Sequence, residues 1–417
     1  MVDFSLAPQP PLPFPAAEAY SAAALAASRG SWPGVLEHRD LRFGPGDWQR
    51  LDIFTPDRPS ETPRDVLVFF HGGGWTNGYK EWVGLMAPAV TAAGMILVAP
   101  THRLAPSVRF PVFLEDAVDA VAAARGIVAS FGGNPDRLFI AGHSAGGHLA
   151  AMIGLKPELC AARGLPPAAI AGCCPVSAIL DLHQDDPAPG SLEARVYEMV
   201  LADPADDKAA SPLGFIRGAR APLFFSWGLR DSERVRRSNE EARAILTAAG
   251  ADARFRVYDA DHFGTHLALS DPGHDWYAVL NAMRRTAPLK EEIDCGLPVP
   301  GQPFSWAIRA RGTLYTTHGP VLPDGSILEG DITRQAELTL QNMIASVEAA
   351  GGTAGDFVQL QIFLVDGADM APVDAVYRRF FAPPYPNRAS LIVAGLVAPG
   401  MRIEISAIAE LGCAAPA

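Results

Sequence analysis

The sequence predicts two folds in one chain, a mostly parallel α/β sheet followed by a smaller α+β module. Up to residue 285, short apolar runs alternate with helical segments, which is typical of a parallel sheet with helices on both faces. The pattern then changes to two strands followed by one long amphipathic helix. A chain of 417 residues can hold both folds. We expect a first domain at residues 1–287, a linker at 288–299 and a second domain at 300–417.

The composition is that of an ordinary globular protein. Hydrophobic residues make up 49% of the chain and charged residues 19%, which excludes a disordered, collagen-like or coiled-coil protein. The net charge of −12 argues against nucleic-acid binding, because there is no basic surplus to neutralise phosphates. The alanine-rich stretch at residues 16–27 contains Glu18 and follows no basic region, so we expect neither a secretory signal nor a membrane span.

Cysteine usage indicates a reducing compartment. The five cysteines are odd in number and lack the paired spacing of metal ligands. Cys173 and Cys174 lie in an apolar run, where we expect buried, reduced thiols. We therefore expect a cytoplasmic protein. We also expect it to act on small molecules and to need no metal, nucleotide or flavin cofactor.

The predicted strands of the first domain lie at residues 36–43, 49–54, 66–70, 95–98, 137–141, 169–176, 223–227 and 254–258. Residues 177–220 do not follow the alternation and contain several proline and glycine breaks, as expected for an insertion or cap over a site.

A serine nucleophile is predicted where the strand at 137–141 ends. Gly142-His143-Ser144-Ala145-Gly146 matches the G-x-S-x-G pattern, and helical sequence follows at once. Small flanking residues are required because the turn is sharp and the serine hydroxyl must stay exposed. Alone, the pentapeptide is also compatible with an ordinary small-residue turn.

A glycine run after an earlier strand strengthens this interpretation. His71-Gly72-Gly73-Gly74-Trp75 follows the buried strand at 66–70. Three consecutive glycines cost backbone entropy, so a flexible turn is the weaker explanation. The backbone N–H groups of Gly73, Gly74 and Ala145 are therefore predicted to form an oxyanion hole.

An acid and a histidine follow in the order that such a serine requires. Asp231 comes after the strand at 223–227, and His262 follows the strand at 254–258, so both emerge at the same sheet edge as Ser144. Other residues remain possible at this stage. Glu233 could replace Asp231, His266 could replace His262, and the histidine is flanked by further carboxylates at Asp259 and Asp261.

Residues 30–285 resemble the α/β-hydrolases of the kynurenine formamidase and hormone-sensitive-lipase-like carboxylesterase group. The resemblance rests on the glycine run, the serine pentapeptide, Arg103-Leu104-Ala105-Pro106, and the positions of Asp231 and His262. It implies the α/β-hydrolase fold and a Ser144–His262–Asp231 triad, with Asp116 and His148 in structural roles. Lys80-Glu81 soon after Trp75, and Leu180-Asp181-Leu182, favour a formamidase; His102 departs from the tyrosine usual in the esterases.

Residues 300–412 resemble the Rid family of reactive intermediate deaminases, which hydrolyse enamines and imines. The matching residues are Phe304-Ser305-Trp306-Ala307, Pro386-Asn387-Arg388 and the closing stretch at 403–409. The resemblance implies a chorismate-mutase-like α+β fold and a homotrimer with sites between subunits.

The second candidate site contains Arg388, Glu404 and Thr317. Arg388 opens a predicted strand, where a guanidinium could clamp a carboxylate through two parallel hydrogen bonds. The resemblance implies that Glu404 activates water. The alternative is an Arg388–Glu404 ion pair across strands, without catalysis. Thr317-His318-Gly319 departs from the usual Ser-Gly-Gln, so we expect His318 to change the pocket volume and add a titratable group.

These observations predict a bifunctional hydrolase. The first domain would hydrolyse a small amide or ester, with an aryl formamide favoured, and the second would release ammonia from an enamine or imine. A second hypothesis keeps the esterase and makes the Rid-like module a non-catalytic assembly or regulatory unit. A third makes that module a trimeric small-molecule-binding protein and the hydrolase a promiscuous detoxifying enzyme.

Overall fold

The computed structural model describes residues 4, 6–218, 221–286, 291–310 and 313–411. The chain divides into two compact units, Met1–Ala287 and Pro288–Ala417, each with its own hydrophobic core. The predicted fold class, a mostly parallel α/β sheet followed by a smaller α+β unit, is confirmed.

The first unit is built on an eight-stranded sheet with the order β1-β2-β4-β3-β5-β6-β7-β8. The two strands at one edge pair antiparallel, and the six from β4 to β8 run parallel. The carboxyl ends of the parallel strands therefore meet at one edge of the sheet. The strands are β1 (Val35–Arg42), β2 (Arg50–Pro56), β3 (Arg64–Phe70), β4 (Ile96–Pro100), β5 (Gly133–His143), β6 (Ile170–Val176), β7 (Leu223–Arg230) and β8 (Ala253–Asp261).

Helices cover both faces of this sheet, and strand β3 shows why. Its residues 66–70 are all buried; Val66, Val68 and Phe70 pack into one apolar cluster, while Leu67 and Phe69 pack into another. Alternate side chains thus face opposite layers, which explains the continuous apolar run in the sequence. The helices are α1 (Pro15–Ser28), α2 (Ala87–Ala92), α3 (Val112–Ile127), α4 (Ala145–Leu155), α5 (Pro157–Ala161), α6 (Leu192–Arg195), α7 (Glu233–Ala248), α8 (Gly264–Leu267) and α9 (Asp275–Thr286).

The segment between β6 and β7 contains no strand among its described residues. It consists of loops, the short helix α6 and several single turns. Leu192, Val196 and Val200 from this segment line a cavity that also contains Ser144. This is where the sequence places an insertion or cap.

The second unit pairs a six-stranded sheet, in the order β13-β12-β14-β11-β10-β9, with two helices. Only β12 and β13 are parallel. Along β14 the residues alternate between buried and half-buried, so this sheet has one core face. Its elements are β9 (Glu291–Glu292), β10 (Ala307–Ala310), β11 (Thr313–His318), α10 (Ile332–Ala349), β12 (Phe357–Leu364), α11 (Met370–Phe380), β13 (Asn387–Ile392) and β14 (Ile403–Glu410).

Part of the expected linker belongs to the second unit. Glu291 and Glu292 pair with Arg309 and Ile308 of β10, and Ile293 is buried in the core of the second unit. The linker predicted at 288–299 therefore overlaps the first strand of the second unit at Glu291 and Glu292, and the core of that unit at Ile293. A strand of two residues, bordered by charged side chains, carries too short an apolar pattern to be recognised in the sequence.

Candidate active site

Ser144 lies on a strained turn between β5 and α4. Its φ of 56° is unusual for a residue with a side chain. The turn requires glycine on both sides: a Cβ added at Gly142 would lie 2.3 Å from the Gly146 carbonyl oxygen, and one at Gly146 would lie 2.2 Å from that of Phe70. Close packing of the turn against β3 is thus the physical reason for the glycines.

Ser144 is hydrogen-bonded to His262, and His262 to Asp231. His262 Nε2 lies 2.8 Å from Ser144 Oγ, and Nδ1 lies 2.5 Å from Asp231 Oδ1. Asp231 is fully buried, whereas a quarter of the His262 side chain is exposed. The three residues come from the ends of β5, β7 and β8 and meet at the carboxyl edge of the parallel strands. A serine hydroxyl, a base and an orienting carboxylate are therefore in direct contact.

Ser177 holds the second oxygen of Asp231, a role that the sequence did not reveal. Its hydroxyl donates to Asp231 Oδ2 at 2.7 Å, and the backbone N–H of Gly228 donates to the same oxygen at 2.8 Å. Ser177 is fully buried and has a φ of 46°. Its only sequence signal is its place directly after the buried strand β6.

The alternative residues lie outside this chain of hydrogen bonds. His266 is fully buried, accepts or donates a hydrogen bond with Tyr20 at 2.8 Å, and has its pKa lowered to about 3 by burial. Asp259 pairs with Arg230, and Asp261 accepts the N–H of Gly264. Glu233 is exposed at the start of α7.

The glycine run borders the same cavity as Ser144. Gly73 and Gly74 have φ values of 120° and 62°, and a Cβ at Gly73 would lie 2.1 Å from the Asn77 carbonyl oxygen. Both glycines line the cavity. Ala145 is the first residue of α4, so its N–H belongs to the unpaired end of that helix. Two of the three predicted oxyanion-hole residues thus line the cavity of Ser144, and the third follows Ser144 directly in the chain.

The cavity has a volume of about 230 Å³ and mostly apolar walls. Tyr20 and Trp82 form one part of the wall, where their rings meet edge to face at 5.1 Å. Phe263 stacks on Tyr20 at 4.8 Å. Such walls favour a small substrate with an aromatic or apolar group.

Asp116 and His148 support the structure around the cavity. Asp116 forms a two-oxygen salt bridge with Arg103, at 2.7 and 2.9 Å. His148 contacts the carbonyl oxygen of Ala210 and accepts the indole N–H of Trp75. Neither side chain hydrogen-bonds to the serine.

In the second unit, Thr317 and Glu404 share one face of the sheet. Thr317 pairs with Ser406 of β14, and their hydroxyls lie 3.2 Å apart. Glu404, two residues before Ser406, is on the same side because side chains alternate along a strand. Partial burial raises the pKa of the Glu404 carboxyl.

Arg388 is not brought to Thr317 and Glu404 within one copy of the chain. It pairs with Leu360 of β12, whereas Glu404 pairs with Phe363, three residues along, so the two side chains fall on opposite faces. Its Nη1 donates to Asp374 at 2.7 Å, and its guanidinium lies over the ring of Tyr377.

The sequence leaves open an ion pair between Arg388 and Glu404. The structure contradicts this pair within a single copy of the chain. Strand β12 lies between the strands that carry the two residues. Only the strand order, which requires long-range pairing, could have revealed this separation.

His318 is a core residue and adds no titratable group to an open pocket. Its side chain is fully buried, stacks on Trp306 at 5.7 Å, and bonds Ser346 of α10 at 2.6 Å. Burial lowers the pKa of His318 to about 4, so it is neutral at pH 7. The expectation that it alters the pocket is wrong, because its position in β11 faces the helix layer.

Comparison with known families decides the classification of both units. The family described as alpha/beta hydrolase fold matches residues 67–267, and the family described as Endoribonuclease L-PSP matches residues 297–411. The chain joins a unit of the α/β-hydrolase family to a unit of the Rid family. We call residues 1–287 the hydrolase unit and residues 288–417 the Rid unit.

Curated relatives of the hydrolase unit are esterases and a formamidase. Esterase LipQ of Mycobacterium tuberculosis is 28% identical over 223 residues, which cover 51% of this chain and 53% of LipQ. Kynurenine formamidase of Danio rerio is 26% identical over 237 residues, which cover 56% of this chain and 78% of that protein. The chain thus spans only about half the length of LipQ.

Solved structures share the fold of the hydrolase unit. A bacterial heroin esterase matches with a TM-score of 0.53 and 24% identity, over 65% of this chain and 90% of its own. An esterase of Pyrobaculum calidifontis matches with a TM-score of 0.53 and 20% identity, over 65% and 92%. At these identities the likeness establishes the fold.

Among the described residues, no group of three or more His, Cys, Asp or Glu side chains could hold a metal ion. None of the described helices is both long and apolar enough to cross a bilayer.

Proposed function

We propose that the hydrolase unit cleaves a small ester or amide through an acyl-enzyme on Ser144, with an aryl formamide the favoured substrate. The observation that carries the proposal is the continuous contact from Ser144 Oγ through His262 to Asp231, at 2.8 and 2.5 Å. A serine hydroxyl is a weak nucleophile unless a positioned base takes its proton.

Each residue has a step in this mechanism. His262 Nε2 takes the proton of Ser144 as Oγ attacks the carbonyl carbon, and Asp231 stabilises the imidazolium that forms. The negative oxygen of the tetrahedral intermediate accepts hydrogen bonds from the N–H groups of Gly73, Gly74 and Ala145. His262 then protonates the leaving amine or alcohol, and water repeats the sequence to free the acid.

Two observations favour an aryl formamide over a long-chain ester. The cavity is small, at about 230 Å³, and Tyr20, Trp82 and Phe263 give it an aromatic wall that suits an aryl group. The alignment with the Danio rerio kynurenine formamidase covers 78% of that protein.

A substrate panel tests this proposal. Formanilides, simple aryl esters and long-chain esters are compared on the same preparation, together with Ser144→Ala and the exposed-loop control Ser60→Ala. We expect Ser144→Ala to lower kcat/KM by at least about 10³-fold on every substrate cleaved, and Ser60→Ala to leave it unchanged. Hydrolysis that survives in Ser144→Ala would contradict the mechanism.

We propose that the Rid unit hydrolyses an enamine or imine within a homotrimer. Glu404 takes a proton from water as the water oxygen adds to the imine carbon, and it returns this proton to the nitrogen to give a carbinolamine. The hydroxyl proton of the carbinolamine then passes to the nitrogen as the carbon–nitrogen bond breaks, which leaves a carbonyl group and releases ammonia. Partial burial raises the pKa of Glu404, which makes its carboxylate a stronger base and supports a role as proton acceptor. Since Arg388 and Glu404 lie on opposite faces of one sheet, each site would need Arg388 from another subunit.

A non-catalytic role for the Rid unit has its own support. Arg388 is already engaged by Asp374 and Tyr377, so it is not held free for a substrate carboxylate. On this alternative the unit only assembles the chains or binds a ligand. Ammonia release from 2-aminoacrylate distinguishes the catalytic role from the non-catalytic one. If the unit is catalytic, Arg388→Ala should abolish the release, while Arg379→Ala, at an exposed helix position, should not. No release by the wild type would favour the assembly role.

A further inference from the structure

One arginine in the cavity wall of the hydrolase unit has a guanidinium nitrogen that meets no hydrogen-bond acceptor among the described residues. Arg234, the second residue of α7, lines the cavity together with Ser144. Only 9% of its side chain is exposed. Its Nε donates to the Asp181 carbonyl oxygen at 2.9 Å, but Nη2 is buried and meets no acceptor among the described residues.

The nearby carboxylates do not satisfy this guanidinium. Glu193 Oε1 lies 4.0 Å from Arg234 Nη1, which is an ion-pair distance but too long for a hydrogen bond. The carboxylate of Asp181 is bonded instead by the backbone N–H of His183 and by Arg237. Arginine stays protonated in proteins even where burial disfavours its charge, so Nη2 remains a charged donor.

The charge of the cavity wall is also unbalanced. Arg195 and Arg234 both line the cavity, and Glu193 is the one carboxylate among its lining residues. A buried, charged donor without an acceptor is costly, and a structure that keeps one at a cavity wall has it available for a ligand. A carboxylate matches a guanidinium in both charge and shape.

We propose that Arg234 binds a carboxylate on the substrate, so that the hydrolase unit prefers anionic substrates to neutral ones of equal shape. This inference rests on the proposed function of the same cavity. It also locates the carboxylate, because the acyl part of a formamide carries only a hydrogen. In a formamide the anion must therefore belong to the leaving group, which makes the favoured substrate an aryl formamide with a carboxylate on its amine part.

A purely structural role for Arg234 predicts something different. Its Nε bond to Asp181 joins α7 to the segment that follows β6. If that bond were its whole role, removing the side chain would slow every substrate by the same factor. The deciding quantity is therefore the ratio of kcat/KM for an anionic substrate to kcat/KM for a neutral one.

The probes are 4-acetoxybenzoate and 4-acetoxybenzamide, which share an acetyl group and differ in charge. We expect Arg234→Gln to lower kcat/KM for the benzoate by about 10- to 100-fold, as for loss of a charged hydrogen bond, and to leave the benzamide within about twofold. Arg237→Gln is the matched control. It removes an arginine from the same helix, one that is 54% exposed and does not line the cavity, and should not change the ratio.

Equal losses on both probes would overturn the proposal. Should Arg234→Gln not fold, inhibition of wild-type hydrolysis of 4-nitrophenyl acetate decides: benzoate should inhibit at a concentration at least about tenfold lower than benzamide, and equal inhibition would contradict the proposal. If the wild type cleaved neither esters nor formanilides, the proposed function would fail instead. Calorimetric binding of benzoate against benzamide would then still test Arg234.

Discussion

The two units differ in how completely one chain assembles a site. In the hydrolase unit, three strand ends bring Ser144, His262 and Asp231 into direct hydrogen-bond contact. In the Rid unit, the sheet register places Arg388 and Glu404 on opposite faces. Parallel strands gather residues at one edge, because all their carboxyl ends point the same way. Residues within the strands of the Rid unit are instead held on the face that the register of each strand sets.

The surfaces of the two units show the same contrast. The triad lies in a cavity within the hydrolase unit, and Asp231 is fully buried. All six residues of β13, including Leu391 and Ile392, are exposed at the sheet edge. An exposed apolar edge strand is a surface on which another chain can pack. Ser144, His262 and Asp231 thus meet within one copy of the chain, while we propose that the Rid site depends on assembly.

The largest expected effect concerns mixtures of inactive variants. They test whether each site is assembled within one chain or between chains. Arg388→Ala and Glu404→Gln should each lose ammonia release, and refolding the two together should restore part of it, because a mixed trimer can contain an intact Arg388–Glu404 pair across subunits. Ser144→Ala mixed with His262→Ala should show no recovery of ester hydrolysis.

The controls for mixing are each variant refolded alone and wild type diluted with Arg388→Ala. Ammonia release is followed with a coupled dehydrogenase assay. Recovery of esterase activity in the first-site mixture would contradict the contrast between the two sites. So would the absence of any recovered deaminase activity in mixed trimers whose composition is verified by mass.

Acid should destabilise the hydrolase unit through its buried histidines. Burial lowers the pKa of His71 and His266 to about 3 and that of His148 to about 4. In the unfolded chain these groups take up a proton below about pH 6.5, while the folded state does not, so stability is lost as pH falls from 6.5 toward 3. Each fully buried histidine contributes about 1.4 kcal/mol per pH unit in that range.

His266→Gln isolates one of these contributions. Between pH 7 and pH 5, the free energy of unfolding should fall by about 2 kcal/mol less in this variant than in the wild type. Urea unfolding at the two pH values measures this difference. An identical pH dependence in the wild type and in His266→Gln would contradict the assignment.

Ser177→Ala should have the smallest effect of the series. Asp231 would lose the hydroxyl donor at 2.7 Å but keep the N–H of Gly228, so we expect kcat to fall about tenfold with KM unchanged. Ser226→Ala is the matched control, because Ser226 is also fully buried and its hydroxyl meets no partner in the part of the chain that the structure describes. Equal kcat values in both variants would exclude a role for Ser177 in positioning Asp231.

Local sequence patterns predict the hydrolase unit well because its candidate site residues lie at the ends of strands. The glycines around Ser144, and the positions of Asp231 and His262 after buried strands, all follow from short segments of sequence. Ser177 was missed because it supports Asp231 from a distance of 54 residues along the chain, without a motif.

The Rid unit was harder to predict because its site depends on sheet order. Neither the insertion of β12 between β13 and β14 nor the direction of His318 into the core can be derived from local periodicity. The two-residue strand at Glu291–Glu292 was missed for the same reason, since its pairing with β10 is its only signal.

Covalent labelling shows whether Ser144 is the activated nucleophile of the hydrolase unit. A fluorophosphonate reacts only with a serine hydroxyl whose proton is taken by a positioned base. Peptide mass spectrometry should find one label per chain, on Ser144, in the wild type and in Arg388→Ala, and almost none in His262→Ala. An unlabelled Ser144 in the wild type, or labelling that survives without His262, would contradict the account.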